Sequence, residues 1–373
     1  MRILALEPYY GGSHQAFLDG WSKLSRHDWT ILTLPAYKWK WRMRHAAITF
    51  AHDVNERIQS GQSWDVIFCS DMLNLAEFLG LVSDPVKNLN AVAYFHENQL
   101  TYPVRFEDER DYQFAMTNLT TALAAKSVWF NSVYHRDSFL EALAAFLNKM
   151  PDYQPTDTVR QIKLKSLIHP PGIEPFPART ETKPGPVRIL WSARWEHDKN
   201  PEDFFEAVKI IKDRGIVFRL GVIGQQFRDT PQVFDRAKNY FADHIDHWGY
   251  QQKTDYKTAL QQADIIVSTA NHEFFGLSVA ESVSAGAYPL LPKRLSYPEI
   301  LQLDKNPEYE EFFYDGTIDD LAAKLEMLIN RIEKADLWQN GPNKAKKITQ
   351  RFEWSNLTPL LDDAIQAATT YAL

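Results

Sequence analysis

Residues 271–292 read NHEFFGLSVAESVSAGAYPLLP, and the run before them, 263–270, reads ADIIVSTA. The apolar run predicts a buried parallel strand, and the residues after Gly276 predict a helix that ends near Gly286. Tyr288-Pro-Leu-Leu-Pro292 then resumes as a short strand. Strand, acidic turn, helix and strand make one βαβ unit. Glu273 stands at the end of the first strand and Glu281 in the helix, with Phe275-Gly276-Leu277 between them. A glycine at a helix start lets a ligand approach backbone N–H groups, and the positive end of the helix favours phosphate. A carboxylate one or two turns on can accept hydrogen bonds from a ribose diol. The pattern suits a nucleotide diphosphate, although taken alone it also fits a plain helix start with a solvated glutamate.

Working outward, 187–192 (VRILWS) predicts another strand, leaving through Ala193-Arg194-Trp-Glu-His-Asp-Lys199-Asn200 into a helix from 202 to about 214. Arg194 and Lys199 would then face the same strand ends as Glu273 and Glu281. Two cations there can neutralise a pyrophosphate and stabilise its departure. A further strand is expected at 218–224, and 247–250 (HWGY) is a weak candidate for the wall of a base pocket. Prolines and charge over 170–186 mark the expected linker between two domains.

The N-terminal half alternates in the same way. Strands are expected at 2–6, 29–34, 65–70, 91–95, 127–131 and 167–169, with helices at 15–24, 46–59, 72–82 and 111–125. Such alternation implies a parallel sheet covered on both faces, with ligands beyond the carboxyl ends of its strands. The residues past those ends are Gly11-Gly12, the 35–45 loop, Asp71, His96-Glu97-Asn98 and Asn131. Gly11-Gly12 lacks the G-x-G-x-x-G spacing of a dinucleotide-binding turn, which disfavours an ordinary Rossmann dehydrogenase. His96 fits a general acid/base, a hydrogen-bond donor to a ligand, or an edge residue satisfied by its surroundings. Lys38, Lys40, Arg42 and Arg44 alternate with Trp39, Trp41 and Met43. As a loop this segment offers cations to phosphates and rings to bases, the combination that binds single-stranded RNA. As a strand it would turn tryptophan inward and charge outward.

The 373 residues suffice for two domains, and 45% hydrophobic with 24% charged residues is a globular composition. A net charge of −7 leaves any nucleic-acid contact to a local patch such as 38–44. The single cysteine, Cys69, rules out an internal disulfide framework and reads as a core thiol. Neither a signal peptide nor an apolar run of about 18 residues is apparent, so a cytoplasmic protein with no membrane span is expected.

Arg194-x4-Lys199-Asn200 with Glu273-x7-Glu281 resembles the donor-site signature of retaining glycosyltransferases of the GT-B fold. The segments 3–14 (ILALEPYYGGSH) and 95–103 (FHENQLTYP) resemble, more specifically, the glycosyltransferase-like domain-containing family of tRNA-queuosine α-mannosyltransferases. The resemblance runs from the first strand to the final helices. It implies an α/β GT-B protein: two Rossmann-like parallel-sheet domains facing a central cleft. The expected boundaries are 1–172 for acceptor binding and 173–350 for the nucleotide sugar, with 351–373 as a helix returning to the first domain.

Carried onto this chain, the resemblance makes His96, Arg194, Lys199 and Glu273 the catalytic set. Arg194 and Lys199 would hold the donor diphosphate, Glu273 would lie near the donor sugar, and His96 would contact the transferred sugar or the reacting centre. Gly11, Gly12, Phe275, Gly276, Leu277 and Glu281 would bind the donor, Glu281 through the ribose hydroxyls. Lys38, Trp39, Lys40, Trp41, Arg42 and Arg44 would meet RNA. The implied reaction moves mannose from GDP-mannose to queuosine in the anticodon stem-loop of tRNA-Asp, with no cofactor and no metal strictly required. The sequence contains no Asp-any-Asp motif, which agrees with Arg and Lys replacing a metal at the diphosphate. Competing readings are a transferase of the same fold acting on a lipid or polysaccharide, a nucleotide-sugar epimerase, and a non-catalytic RNA-binding protein.

Overall fold

The computed structural model describes residues 1–104, 110–177, 185–227, 230–334, 338 and 343–370. The chain divides into two compact units, Met1–Gly172 together with the segment from Trp354 onward, and Ile173–Glu353. The expected linker falls partly outside the described residues. The second unit runs three residues past 350, because Arg351 donates to the carbonyls of Glu299 and Ile300 and the Phe352 ring packs against Phe275.

The first unit is a six-stranded sheet. Its strands are β1 (Arg2–Tyr10), β2 (Asp28–Pro35), β3 (Val66–Ser70), β4 (Ala91–Phe95), β5 (Ser127–Phe130) and β6 (Ser166–Ile168). They lie in the order β2-β1-β3-β4-β5-β6, and every pairing is parallel. The runs VIFCS, AVAYF and SVWF are buried at every position, as expected of strands covered on both faces. Cys69 lies fully inside, and burial, with the Glu7 and Asp71 carboxylates nearby, pushes its thiol pKa up. It is an inert packing residue. The helix Trp354–Thr370 closes this unit. Asp362 accepts hydrogen bonds from the Trp21 indole at 2.8 Å, the Ser25 hydroxyl at 2.7 Å and the Arg26 amide at 2.8 Å.

The second unit repeats the plan with β7 (Val187–Ser192), β8 (Phe218–Ile223), β9 (Ile245–Gly249), β10 (Ile265–Val267), β11 (Tyr288–Pro292) and β12 (Phe313–Tyr314). The order is β12-β11-β10-β7-β8-β9, again with parallel pairs. Strand β10 holds only the centre of the expected 263–270 run, because Ser268 and Thr269 turn their hydroxyls to Tyr297 and to the 199–200 backbone.

Strand order reverses at one place in each unit, between β1 and β3 and between β7 and β10. In open α/β sheets the loops diverge there and leave a crevice beyond the strand ends. The residues that carry chemistry gather at these two places.

One expectation is overturned. Residues 38–45 do not form a loop or a strand. Lys38 is a left-handed turn residue (φ 51°), and a 21-residue helix, Trp39–Gln59, begins directly after it. Trp39 and Met43 are four apart and share a face, and Ala46, Ala47, Phe50, Ala51 and Val54 continue it at helical spacing into the core. Helical burial of that face outweighs the two-residue alternation of charge.

Candidate functional site

At the β7/β10 reversal two loops are stitched together. The Thr269 hydroxyl donates to the carbonyls of Lys199 (2.9 Å) and Asn200 (2.8 Å), and the Asn271 amide donates to the Asp198 carbonyl at 2.8 Å. Asn200 takes a left-handed conformation (φ 48°), and Pro201 starts the next helix with φ already suited to it. This frame fixes Lys199, which is buried. Its ammonium donates to the His272 carbonyl at 2.6 Å and to Glu273 Oε2 at 3.2 Å, and lies 3.3 Å from Asp198 Oδ2. Burial works to raise the Glu273 pKa, but the Lys199 charge above all overcomes it, so the carboxyl is held below its ordinary range. Burial, then the Lys199 charge, holds His272 down at about 4. The site therefore fixes an ionised Glu273 beside a neutral His272.

Gly276 (φ 88°) starts the helix Leu277–Ser284. A Cβ there would lie 2.9 Å from the Tyr297 ring, in a conformation that side chains rarely adopt. The Ser278 hydroxyl donates to the Ser192 carbonyl at 2.7 Å and ties this helix start to the end of β7. Ser296 donates to the Phe275 carbonyl at 3.1 Å. Phe275 itself is buried and packs on Phe352, so what this stretch offers a ligand is backbone. One turn further on, Glu281 Oε2 accepts from the Tyr256 hydroxyl at 2.6 Å. Burial raises the Glu281 pKa, and the Tyr256 hydrogen bond partly opposes it. Arg194 pairs with Glu196 at 3.3 Å and keeps about a third of its side chain in solvent (37%). At the weak 247–250 candidate, Trp248 packs on Trp195 and Phe205 while Tyr250 projects outward.

The β1/β3 reversal in the first unit carries a second cluster. Glu7 is buried at the end of the apolar part of β1. Its Oε1 accepts from the Tyr9 amide (2.8 Å) and the Ser70 hydroxyl (3.0 Å), and its Oε2 lies 3.2 Å from His14 Nδ1. The His14 ring stacks on His96 at 3.9 Å. The His96 amide donates to Asp71 Oδ1 at 2.9 Å, and its carbonyl accepts from Asn131 at 3.0 Å. Asn131 in turn meets His135 Nδ1 at 3.0 Å. Burial opposes a charge on His14, but Glu7 leads in overcoming it and lifts His14 to about 9. Burial pushes Asp71 up to about 8. Burial, then the charges of His14 and His135, pushes His96 well below the ordinary histidine range. Gly11 is extended, and a Cβ on it would strike Ala36 at 2.5 Å; Gly12 is left-handed (φ 55°) with open space around it.

Among the described residues one group, Glu7, His14 and His96, brings three ligand-type atoms within 4.8 Å of one another. Glu7 Oε1 already accepts from the Tyr9 amide and Ser70, and the two imidazoles stack at 3.9 Å. The set is joined by the Glu7–His14 pair and by the stacking of the two rings.

The helix Trp39–Gln59 sorts the cationic residues. Lys38, Lys40 and Trp41 are exposed, Trp41 by 63%. Arg42 is drawn inward: it donates to the Pro35 carbonyl at 3.0 Å and lies over the Tyr37 ring at 4.5 Å. Arg44 pairs with Asp111 at 3.1 Å and lies over Phe114 at 4.8 Å. Trp39 packs on Phe114. Lys38, Lys40, Trp41 and Arg44 thus remain on the surface, while Trp39 belongs mainly to packing. Reading the sequence did not single out Asp198, His272, Tyr256, Glu7 and His14, which the fold brings into these two clusters. A polar residue closing an apolar strand was the available signal for Glu7; the others depend on contacts distant in sequence.

Residues 2–173 match the family described as tRNA-queuosine alpha-mannosyltransferase N-terminal, and residues 173–344 match glycosyl transferases group 1. A sucrose-phosphate synthase from Thermosynechococcus elongatus has the same fold, with a TM-score of 0.72 at 13% identity, covering 98% of this chain and 99% of its own. Alr3699/HepE of Anabaena, solved with UDP, gives a TM-score of 0.67 at 13% identity over 98% of this chain and 100% of its own. Fold and family matches together define a GT-B glycosyltransferase. The tRNA-queuosine alpha-mannosyltransferase of Drosophila melanogaster is 36% identical over 313 residues, 80% of this chain and 81% of its own. The chain belongs to the tRNA-queuosine α-mannosyltransferase family.

Proposed function

We propose that the protein transfers mannose, with retention at the anomeric carbon, from GDP-mannose to a queuosine hydroxyl in the anticodon stem-loop of tRNA-Asp. The observation that carries this reading is the likeness to the Drosophila enzyme, which extends through both halves of the chain. The donor-side geometry supports it. Arg194 and the N–H groups at the start of the Leu277–Ser284 helix present positive charge suited to a diphosphate. Glu281, with one oxygen taken by Tyr256, keeps the other for a ribose hydroxyl. Lys199 holds Glu273 near the donor sugar, and His96, in the first unit, serves the transferred sugar or the reacting centre. No side chain of this set needs to form a covalent adduct. Positioning and electrostatic stabilisation of the leaving diphosphate supply the catalysis, with Arg194 in the role a metal would otherwise fill and Lys199 keeping Glu273 in place.

Lys38, Lys40, Trp41 and Arg44 form the RNA-facing surface, cations for phosphate and a ring for a base. No described helix is long and apolar enough to cross a membrane. We place the reaction in the cytoplasm, where a tRNA substrate is available. The test is incubation of the purified protein with GDP-mannose or UDP sugars and with tRNA from queuosine-proficient or queuosine-deficient cells. Nucleoside mass spectrometry should show one added hexose only with GDP-mannose and queuosine-containing tRNA. A hexose added without queuosine, or from a UDP sugar alone, overturns the assignment.

A further inference from the structure

His96 is held unusually well for a residue that follows a strand. Its amide is fixed by Asp71 Oδ1 and its carbonyl by Asn131, so the backbone is clamped at both ends. The ring sits between Tyr94 (4.6 Å, edge-on), Phe17 (5.5 Å, edge-on) and the face of His14 at 3.9 Å. His14 is itself anchored, since Nδ1 lies 3.2 Å from Glu7 Oε2 while Glu7 Oε1 is fixed by Ser70 and the Tyr9 amide. A satisfied edge histidine needs none of this.

We propose that Glu7 and His14 are positioning residues for His96, with Glu7 anchoring His14 and the stacked His14 ring setting the orientation of His96 for the reaction. The role in turnover rests on the function proposed above; the structural coupling does not. The charges agree with it. Glu7 on β1, Asp71 after β3 and Glu97 after β4 are the carboxyl groups that face His14, and Glu7 above all favours its cationic form. Across the stack, His14 and the His135 ring from the helix Val133–Leu147 disfavour a proton on His96. A cation and a neutral imidazole can lie face to face where two cations would repel. Loss of Glu7 therefore releases the His14 ring and alters the charge beside His96 together. The polar partners of Glu7 are the Tyr9 amide, Ser70 and His14, and its link to His96 runs through the His14 ring.

The experiment uses the full-length protein with Glu7→Gln, Glu7→Asp and His14→Phe. Two readouts are taken: initial rates with GDP-mannose and queuosine tRNA, and NMR titration of ring-labelled histidines, which needs no substrate. Glu7→Gln should lower kcat by about tenfold or more with both KM values changed less than about twofold. It should also shift the His96 ring resonances and move the His14 titration toward acid by at least about one unit. Glu7→Asp should recover part of each. His14→Phe keeps a ring against His96 but breaks the anchor, so it should reproduce the kcat loss, and it carries the test should Glu7→Gln fail to fold. Wild-type kcat in His14→Phe, or a rate loss matched by loss of folded protein, overturns the proposal. Unmoved His96 resonances in Glu7→Gln overturn it even if the wild-type protein proves to transfer no mannose.

Discussion

Lys199→Met tests what the buried lysine does before any ligand arrives. The substitution keeps side-chain length and removes the charge that lies 3.2 Å from Glu273 and 3.3 Å from Asp198. At an effective dielectric near 20, a unit pair at that separation attracts by roughly 5 kcal/mol before desolvation. Removing one partner of a buried pair usually costs about 3–5 kcal/mol, because the other charge is left without compensation. The side chain of Lys199 is 7% exposed and that of Glu273 is 27%, so a loss of about 3 kcal/mol is expected.

The sign with pH is equally specific. With Lys199 present, Glu273 lies below its ordinary pKa, so the pair stabilises the fold above the ordinary carboxylate range and the benefit is lost at acid pH. Without Lys199, burial is the largest remaining influence and raises the pKa, so protonation relieves the penalty as pH falls. The deficit of the variant should therefore shrink between about pH 7.5 and 5. Native-state hydrogen exchange at β7 and β10 reads the stability of this unit alone. Adding Glu273→Gln should restore about 1–3 kcal/mol to the Lys199→Met protein. Equal deficits at both pH values, or strictly additive single and double variants, would refute the reasoning.

Arg194→Gln removes a cation that is a third exposed, so its effect should fall on the donor. The KM for GDP-mannose should rise at least about tenfold with a melting temperature within about 2 °C of wild type, and a stability loss like that of Lys199→Met would contradict it. Gly276→Ala, forced to φ 88° with its Cβ at 2.9 Å from Tyr297, should cost about 1–3 kcal/mol and weaken donor binding measured by calorimetry. Lys38→Ala with Lys40→Ala should flatten the salt dependence of tRNA binding by a slope of about 1.4 without altering the fold, whereas Arg44→Ala should also loosen the contact to Asp111. The His14 proton contributes roughly 3 kcal/mol, from about 6.5 unfolded to about 9 folded. That contribution is complete below about pH 6.5 and lost as pH rises through 9, so denaturant midpoints followed from pH 6.5 to 9.5 should fall, and less so in His14→Phe.

The sheets were legible because parallel strands covered on both faces leave continuous apolar runs, as in VIFCS and AVAYF. Their order was not, since nothing local to 263–270 says that it pairs with 187–192 rather than with 218–224. The 38–45 segment shows how one strong pattern can conceal another. The alternation of lysine, arginine and tryptophan drew attention to a period of two, while the apolar positions 39, 43, 46, 47, 50, 51 and 54 carry the helical period through the same residues. The longer buried face, which runs on to Val54, decides the backbone.

The same distinction changes how the donor residues divide their work. Spacing alone treats Arg194 and Lys199 as equivalent cations at one strand end. In the folded chain, Lys199 is enclosed by Asp198, Glu273 and a carbonyl, so its charge is already more than matched by two carboxylates. Arg194 pairs with Glu196, whose own pKa burial raises, and keeps 37% of its side chain in solvent. An anionic ligand would meet the solvent-exposed part of Arg194 and the amides after Gly276, whereas Lys199 holds the Glu273 carboxylate ionised and in place. A lysine fixed between carboxylates organises a site, and an arginine with a third of its surface open can still move to a ligand. Two residues that look interchangeable in the motif should therefore fail differently when replaced, one through the fold and the other through the donor.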